Sequence, residues 1–261
     1  MSNELDLATL RHVAEHAARA GGAVVSDRFG AARHAREKAP GDWVSEVDVD
    51  SENAIRAVLH DETGLPVFGE EEGGERADVG WLVDPLDGTA NFLHGFDAVG
   101  VSIGLVSAGE PVVGVVYAPL LERIFCAVRG EGATRDGRPI RVSDRGADQA
   151  ICATGFPFRR HDRLPRYLAM FGAALARFED LRRVGAASLD LCWTAEGVFD
   201  GFFELGLGPW DVAAGALIVR EAGGVVTDWS GDHRAWLSSG HILAAPPLVH
   251  PELRALADGT Q

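Results

Sequence analysis

WLVDPLDGTANFLHG, residues 81–95, joins an apolar run of strand type to two carboxylates and a helix start. Trp81, Leu82 and Val83 read as a strand that ends at Asp84, where Pro85 removes a backbone donor and is expected to break the ladder. Asp87 then leads into Gly88 and Thr89, which suit the beginning of a helix. Two carboxylates three residues apart around a bend can converge on one point. Held together without a cation they repel and raise each other's pKa. With Mg²⁺ the repulsion becomes coordination, because hard oxygen donors suit a hard cation. The Leu86 carbonyl lies between the two and offers a further oxygen. The N–H groups of Gly88 and Thr89 suit a phosphate oxygen. Asp87-Gly88 also suits an ordinary turn, and Asp84 an N-cap, and the fragment alone does not decide between these readings.

Working outward, two more segments set a carboxylate beside a turn former at the edge of an apolar element. Gly69-Glu70-Glu71-Glu72-Gly73 follows the short strand LPVFGEE, and Pro209-Trp210-Asp211 opens a helix. Alone, the first suits a solvated acidic loop and the second a first-turn Asp. Together the three segments favour a divalent-metal site. A haloacid-dehalogenase-type phosphatase is excluded by spacing, since its nucleophilic Asp would fall on Pro85.

The rest of the chain supplies the frame. The spacing of Leu7, Leu10, Val13 and Ala17 predicts a helix over 5–29, followed by a loop over 31–41 ending in Pro40-Gly41. A second helix starts near Ser45, with Ile55, Val58 and Leu59 on its apolar side. AVGVSIGLV, PVVGVVYAP and RIFCAV are strands, and TRDGRPI carries an Asp-Gly hairpin turn. From about residue 143 strands and helices alternate. QAICATG, FDGFFEL, VVTD and HILAA are strands; Arg163 to Phe178, SLDLCWTAEG and WDVAAGALIVREAGG are helices. This divides the chain into an α+β half, 1–142, and an α/β half, 143–261, packed as one unit.

Composition narrows the function. The 261 residues are 46% hydrophobic and 24% charged, an ordinary globular balance, and 32 Gly imply many tight turns. With Lys and Arg totalling 24 against 39 Asp and Glu, the net charge is −15. That speaks against nucleic acid as a partner through a broad basic surface. An acidic chain still binds an anionic substrate when cations stand between them. Three scattered cysteines, Cys126, Cys152 and Cys192, form no disulfide or zinc pattern, so a reducing cytoplasm is the expected compartment. No apolar run is long enough to span a membrane, and no signal peptide is seen.

In combination, GEE (69–71), residues 81–95 and PWDVAAGALIVREAGG (209–224) closely resemble the inositol monophosphatase family of Mg²⁺-dependent, lithium-sensitive phosphatases. GDWVSEVD (41–48) resembles an upstream family segment, and RRVGAASLDLCWTAEGVFDGFFELGL (182–207) the C-terminal half in its bacterial form. The resemblance implies a layered αβαβα sandwich of mixed α/β class. It implies two to three Mg²⁺ ions: one held by Glu70, Asp84 and the Leu86 carbonyl, a second shared by Asp84, Asp87 and Asp211, and a weaker third near Glu70. Thr89, paired with Asp48, would orient and help deprotonate the attacking water. Lys38, the only lysine, matches a family position near the metals. Backbone N–H groups of Gly185, Ala186 and Ala187 would face ring hydroxyls, Glu204 would contact inositol, and Arg182-Arg183 would adjoin the substrate. Asp87, Gly88 and Thr89 would also touch substrate. His94 and Trp210 are read as structural.

The expected activity is hydrolysis of a small polyol phosphate, first of all inositol 1-phosphate, by metal-activated water in a homodimer. Histidinol phosphate, fructose 1,6-bisphosphate, NADP and 3′-phosphoadenosine 5′-phosphate are rival substrates, and a metal-binding regulatory protein on the same fold is the rival class. Glu204 and RRVGAAS favour inositol.

Overall fold

A computed structural model describes residues 6–30, 35–39, 42–158 and 161–260. In chain order, α1 (Leu7–Arg28) is followed by a hairpin of β1 (Ala35–Ala39) and β2 (Asp42–Ser45), then α2 (Glu46–Thr63), β3 (Val67–Gly69), β4 (Val79–Asp87) and the short α3 (Thr89–His94). A meander follows: β5 (Gly100–Ser107), β6 (Glu110–Ala118), β7 (Arg123–Val128), β8 (Gly132–Arg135) and β9 (Arg138–Pro139). Next come β10 (Ile151–Thr154), α4 (Leu164–Arg177), β11 (Asp180–Arg182), α5 (Ala187–Ala195) and β12 (Gly201–Leu205). The chain closes with α6 (Pro209–Glu221), β13 (Val225–Thr227), α7 (Trp236–Ser239), β14 (His241–Ala245) and α8 (His250–Asp258).

The seven-stranded sheet runs in sequence order from β3 to β9, antiparallel except for β3 beside β4. The five-stranded sheet has the order β11-β10-β12-β14-β13, with β10 parallel to both its neighbours. Helices α1 and α2 cover one face of the larger sheet, joining Val13, Ala17, Ile55 and Leu59 to Val101, Ile103 and Val115 in one core. Helices α5 and α6 fill the space between the sheets, where Leu191, Val212 and Leu217 meet Val116 on one side and Phe202 and Ile242 on the other. Helices α4 and α8 close the outer face of the smaller sheet around Tyr167, Met170, Phe203 and Leu253. The layers therefore run αβαβα. A helix buried on both sides should be apolar all round, and α6 is buried without a break from Val212 to Val219.

Close approach of α6 to the larger sheet depends on two facing glycines. Gly104 and Gly114 pair across β5 and β6. A Cβ on Gly104 would lie 2.9 Å from the Ala213 Cβ, and one on Gly114 would lie 2.7 Å from the Ala214 carbonyl oxygen.

Two expectations are corrected. The loop expected over 31–41 contains a strand, 35–39, which pairs with 42–45. AREKA carries no apolar alternation, so only its partner reveals it. Pro85 also does not break its strand, since β4 continues to Asp87. The ladder shifts there, the two residues of β4 between Asp84 and Asp87 facing the single residue of β5 between Ser102 and Gly100. Pro is tolerated at such a bulge, where no ladder N–H is required. The C-terminal helix α8 had no counterpart in the sequence reading.

Candidate active site

The bulge explains how Asp84 and Asp87 meet. In a regular strand, residues three apart point to opposite faces. The extra residue turns Asp87 back toward Asp84. The Asp84 carboxylate is buried and accepts a hydrogen bond from the Leu86 N–H at 3.0 Å, the only hydrogen bond to it from the described residues. The Pro85 carbonyl is satisfied by the Ser51 hydroxyl at 3.0 Å. Gly88 then takes a left-handed conformation (φ 92°) and caps α3, which begins at Thr89.

Glu70 arrives from the end of β3, its N–H bonded to the Val83 carbonyl at 3.0 Å. Asp211 arrives from the first turn of α6, where its carboxylate caps the helix by accepting from the Gly208 N–H at 2.6 Å. One carboxylate oxygen from each of Glu70, Asp84 and Asp211 lies within 4.8 Å of the others. Burial raises the Asp84 pKa well above the carboxylate range, and the charges of Glu70, Asp87 and Asp211 raise it further. Desolvation, then the charge of Asp211, pushes Asp87 up to about 7 against the hydrogen bonds of Ser188. Such an all-oxygen cluster, with a buried carboxylate that has one donor, fits a hard divalent cation.

Asp48 and Thr89 are brought together from α2 and α3. The Thr89 hydroxyl lies 2.8 Å from Asp48 Oδ1 and 3.1 Å from the Leu86 carbonyl oxygen, and its single proton serves one of them at a time. Asp48 Oδ2 accepts from the Ser45 N–H at 2.8 Å and its hydroxyl at 2.6 Å, in a capping box that fixes the start of α2. Burial raises the Asp48 pKa, and its bonds to Ser45 and Thr89 oppose the rise.

Glu70, Asp84, Asp87, Asp211 and Thr89 line one end of a cavity of about 200 Å³, and Asp48 reaches it only through its bond to Thr89. Its other end is formed by Gly155, Phe156, Phe158, Arg183 and Glu204, and Gly88, Gly185 and Ala187 lie along it. The Glu204 carboxyl occupies the space beside Gly155, where a Cβ would come within 2.1 Å of it. Lys38 sits on β1, but its side chain lies outside the described part of the structure. Arg182 needs correction. It is exposed and ion-paired with Asp180, while Arg183 lines the cavity. The reason is strand periodicity: Asp180 and Arg182 share one face of β11, and the next residue points the other way. His94 is exposed at the end of α3 and takes no part in the lining.

Three supporting residues escaped the sequence reading. Glu52, fully buried on α2, accepts from the Glu71 N–H at 2.8 Å and the Glu72 N–H at 3.1 Å, so it shapes the loop that carries Glu70. Arg56 pairs with Glu52 at 2.7 Å and donates to the Val67 and Gly73 carbonyls. Ser188, at the start of α5, donates to Asp87 Oδ2 through its N–H at 2.7 Å and its hydroxyl at 2.6 Å. The i, i+4 spacing of Glu52 and Arg56 was a visible signal, but nothing in it points at residues 70–72.

The fold and the carboxylate cluster agree with the match of residues 6–260 to the inositol monophosphatase family, and the chain belongs to that family. Among named relatives, it is 43% identical over 224 residues to the Nus factor SuhB of Pasteurella multocida, covering 83% of this chain and 82% of that one. Its fold is similar to the crystal structure of the extragenic suppressor protein suhB from Bartonella henselae, with a TM-score of 0.91, 35% identity, and 95% of this chain and 98% of that one covered. It is also similar to an inositol monophosphatase from Anabaena (Nostoc), with a TM-score of 0.88, 33% identity, and 98% and 97% covered. No helix among the described residues is long and apolar enough to cross a membrane.

Proposed function

We propose that this protein is a Mg²⁺-dependent phosphomonoesterase acting on a small polyol phosphate, with inositol 1-phosphate as first choice. The observation that carries the reading is the convergence of Glu70, Asp84, Asp211 and Thr89 on one cavity, with Asp48 hydrogen-bonded to Thr89. Glu70, Asp84, Asp87, Asp211 and the Leu86 carbonyl would hold two to three Mg²⁺ ions. Bound Mg²⁺ supplies charge stabilisation for the phosphoryl oxygens and acidifies a water. The chain's own part is proton handling. A water beside Thr89 gives its proton to Oγ1 as the hydroxyl proton passes to Asp48 Oδ1. Ser45 holds Asp48 in place throughout. At the leaving-group end, Glu204 accepts from substrate hydroxyls, while the Gly185 and Ala187 backbone donates. The first half of the chain, 1–142, contributes most of the metal ligands, and the second, 143–261, adds Asp211 and Glu204. A homodimer in the cytoplasm is proposed by family analogy.

The test is phosphate release from inositol 1-phosphate and histidinol phosphate in parallel, with and without Mg²⁺. Mg²⁺-dependent preference for the inositol ester supports the reading. Preference for histidinol phosphate keeps the chemistry and replaces the substrate, and silence on both rejects the polyol assignment.

A second reading rests on the relatives' name. As Nus factors they point to a partner in the transcription machinery, which does not fit the exclusion of nucleic acid drawn from the net charge. A charge total averages over the whole surface and says nothing about a protein partner within such an assembly. Under this reading the site binds metal and ligand while another surface does the work.

A further inference from the structure

A second cavity, of about 310 Å³, is bounded by the segment that joins β3 to β4 and by α7. Small-molecule pockets begin at about 300 Å³. Phe68, Leu82, Val106, Pro209 and Leu237, all buried or half-buried, give it an apolar lining. Glu75, Arg76 and Arg234 line its exposed side. Arg234 is engaged by Glu110 at 3.2 Å. Arg76 is held by a ring instead, its guanidinium carbon 4.6 Å from the centre of Phe68. The Arg76 N–H groups have no hydrogen-bond or ion-pair partner among the described residues. A pair of rings links this cavity to the first one: Phe68 lies 5.7 Å from Trp210, which lines the carboxylate cavity. The connection is also covalent. Glu70 is two residues beyond Phe68, and Asp211 is two residues beyond Pro209.

An arginine oriented by an aromatic face keeps its planar fork of N–H donors unspent, and that fork matches a carboxylate in two parallel bonds. The apolar lining asks for an apolar body. Glu75 and the Glu110 partner of Arg234 disfavour a second negative charge. We infer that the second cavity is an effector site for a small apolar monocarboxylate, with its carboxylate on Arg76 and its body against Phe68 and Leu237. An occupant presses on Phe68 and Pro209, the residues that lead into Glu70 and Asp211. Two carboxylates of the acidic cluster then shift together, so occupancy changes Mg²⁺ affinity. A ligand shifts another site only by such a differential contact. The coupling rests on the proposed metal site; the second cavity as a binding site does not.

The test is calorimetric binding of two probes, 2-naphthoate and the neutral 2-naphthalenemethanol, to the full chain in chelator, where the acidic cluster repels anions. The wild type is expected to bind one 2-naphthoate and to prefer it at least fivefold over the alcohol. Arg76→Gln should abolish the preference. Ala77→Trp, at an exposed position on the cavity wall, should block both probes while leaving Tm unchanged. Saturating 2-naphthoate should change the Mg²⁺ affinity of the wild type at least threefold and leave that of Ala77→Trp as it was. Absence of saturable binding, equal affinity for the two probes, or binding that survives Ala77→Trp would overturn the site. Bound 2-naphthoate with unchanged Mg²⁺ affinity would overturn the coupling. No readout depends on turnover, so a failure to hydrolyse inositol 1-phosphate counts against the proposed function and leaves this result standing.

Discussion

At the scale of single residues, the site is a set of carboxylates that the fold forces together and a hydroxyl that links two of its acceptors. Thr89 has one proton and two acceptors, Asp48 Oδ1 and the Leu86 carbonyl. Thr89→Val removes the relay and is expected to lower kcat at least a hundredfold, with KM within a few fold, whereas Thr89→Ser should retain most activity. Steady-state phosphate release distinguishes these outcomes, and equal losses in both variants would contradict the relay. Asp87 gives a pH prediction. Its pKa rises from an ordinary 3.8 to about 7 on folding, so the folded state holds its proton more tightly than the unfolded chain. The resulting stability is fully present below about pH 4 and is lost as pH rises through about 7. The Tm of metal-free protein should therefore fall across this window, and Asp87→Asn should flatten the fall. Stabilisation by Mg²⁺ should grow as pH rises, because the ion replaces the proton. Scanning calorimetry with chelator and with Mg²⁺ would show both trends, and parallel slopes for the two proteins would refute the assignment.

At the scale of elements, short motifs do the positioning. The bulge in β4 sets Asp84 beside Asp87, the capping box of α2 fixes Asp48, and the first turn of α6 presents Asp211. The loop over 69–73 has no regular structure beyond one bridge, Gly69 to Gly73, and depends on α2 for its shape. Glu52→Ala would leave the Glu71 and Glu72 N–H groups without this acceptor and Arg56 without its acidic partner. The expected cost is about 2–3 kcal/mol in urea unfolding, together with weaker Mg²⁺ binding, because Glu70 loses its support. Unchanged metal affinity in calorimetric titration would show that the loop holds its shape without Glu52. Helix starts were legible in the sequence because caps are local: Ser45 and Asp48 announce α2, and Pro209 announces α6. Strand continuity through Pro85 and the pairing of 35–39 were not, since each depends on the strand alongside.

At the scale of the whole molecule, α6 is the element on which the site turns. It lies between the two sheets, carries Asp211 at its first turn, and reaches the larger sheet only because Gly104 and Gly114 face it. Gly104→Val would overpack this contact at a cost of about 1–3 kcal/mol. The displaced helix should move Asp211 away from Asp84, so the Mg²⁺ concentration for half-maximal activity should rise more than the lost stability alone would suggest. A lower Tm with unchanged Mg²⁺ dependence would show that α6 absorbs the strain without moving its N-terminus.

By itself the sequence determined what kinds of group are present and where each local element begins. The carboxylates of 70, 84, 87 and 211, the change from an α+β half to an α/β half and the family motifs were all readable there, because motif spacing, capping and hydrophobic period are short-range properties. Tertiary structure alone decided which groups face one another. It put Arg183 rather than Arg182 on the cavity, made Glu52 the support of a loop from another element, and gave Ser188 to Asp87 across the core. These contacts join residues 19 to 101 positions apart. Their geometry comes from strand register and layer packing, which residue order along the chain does not encode locally.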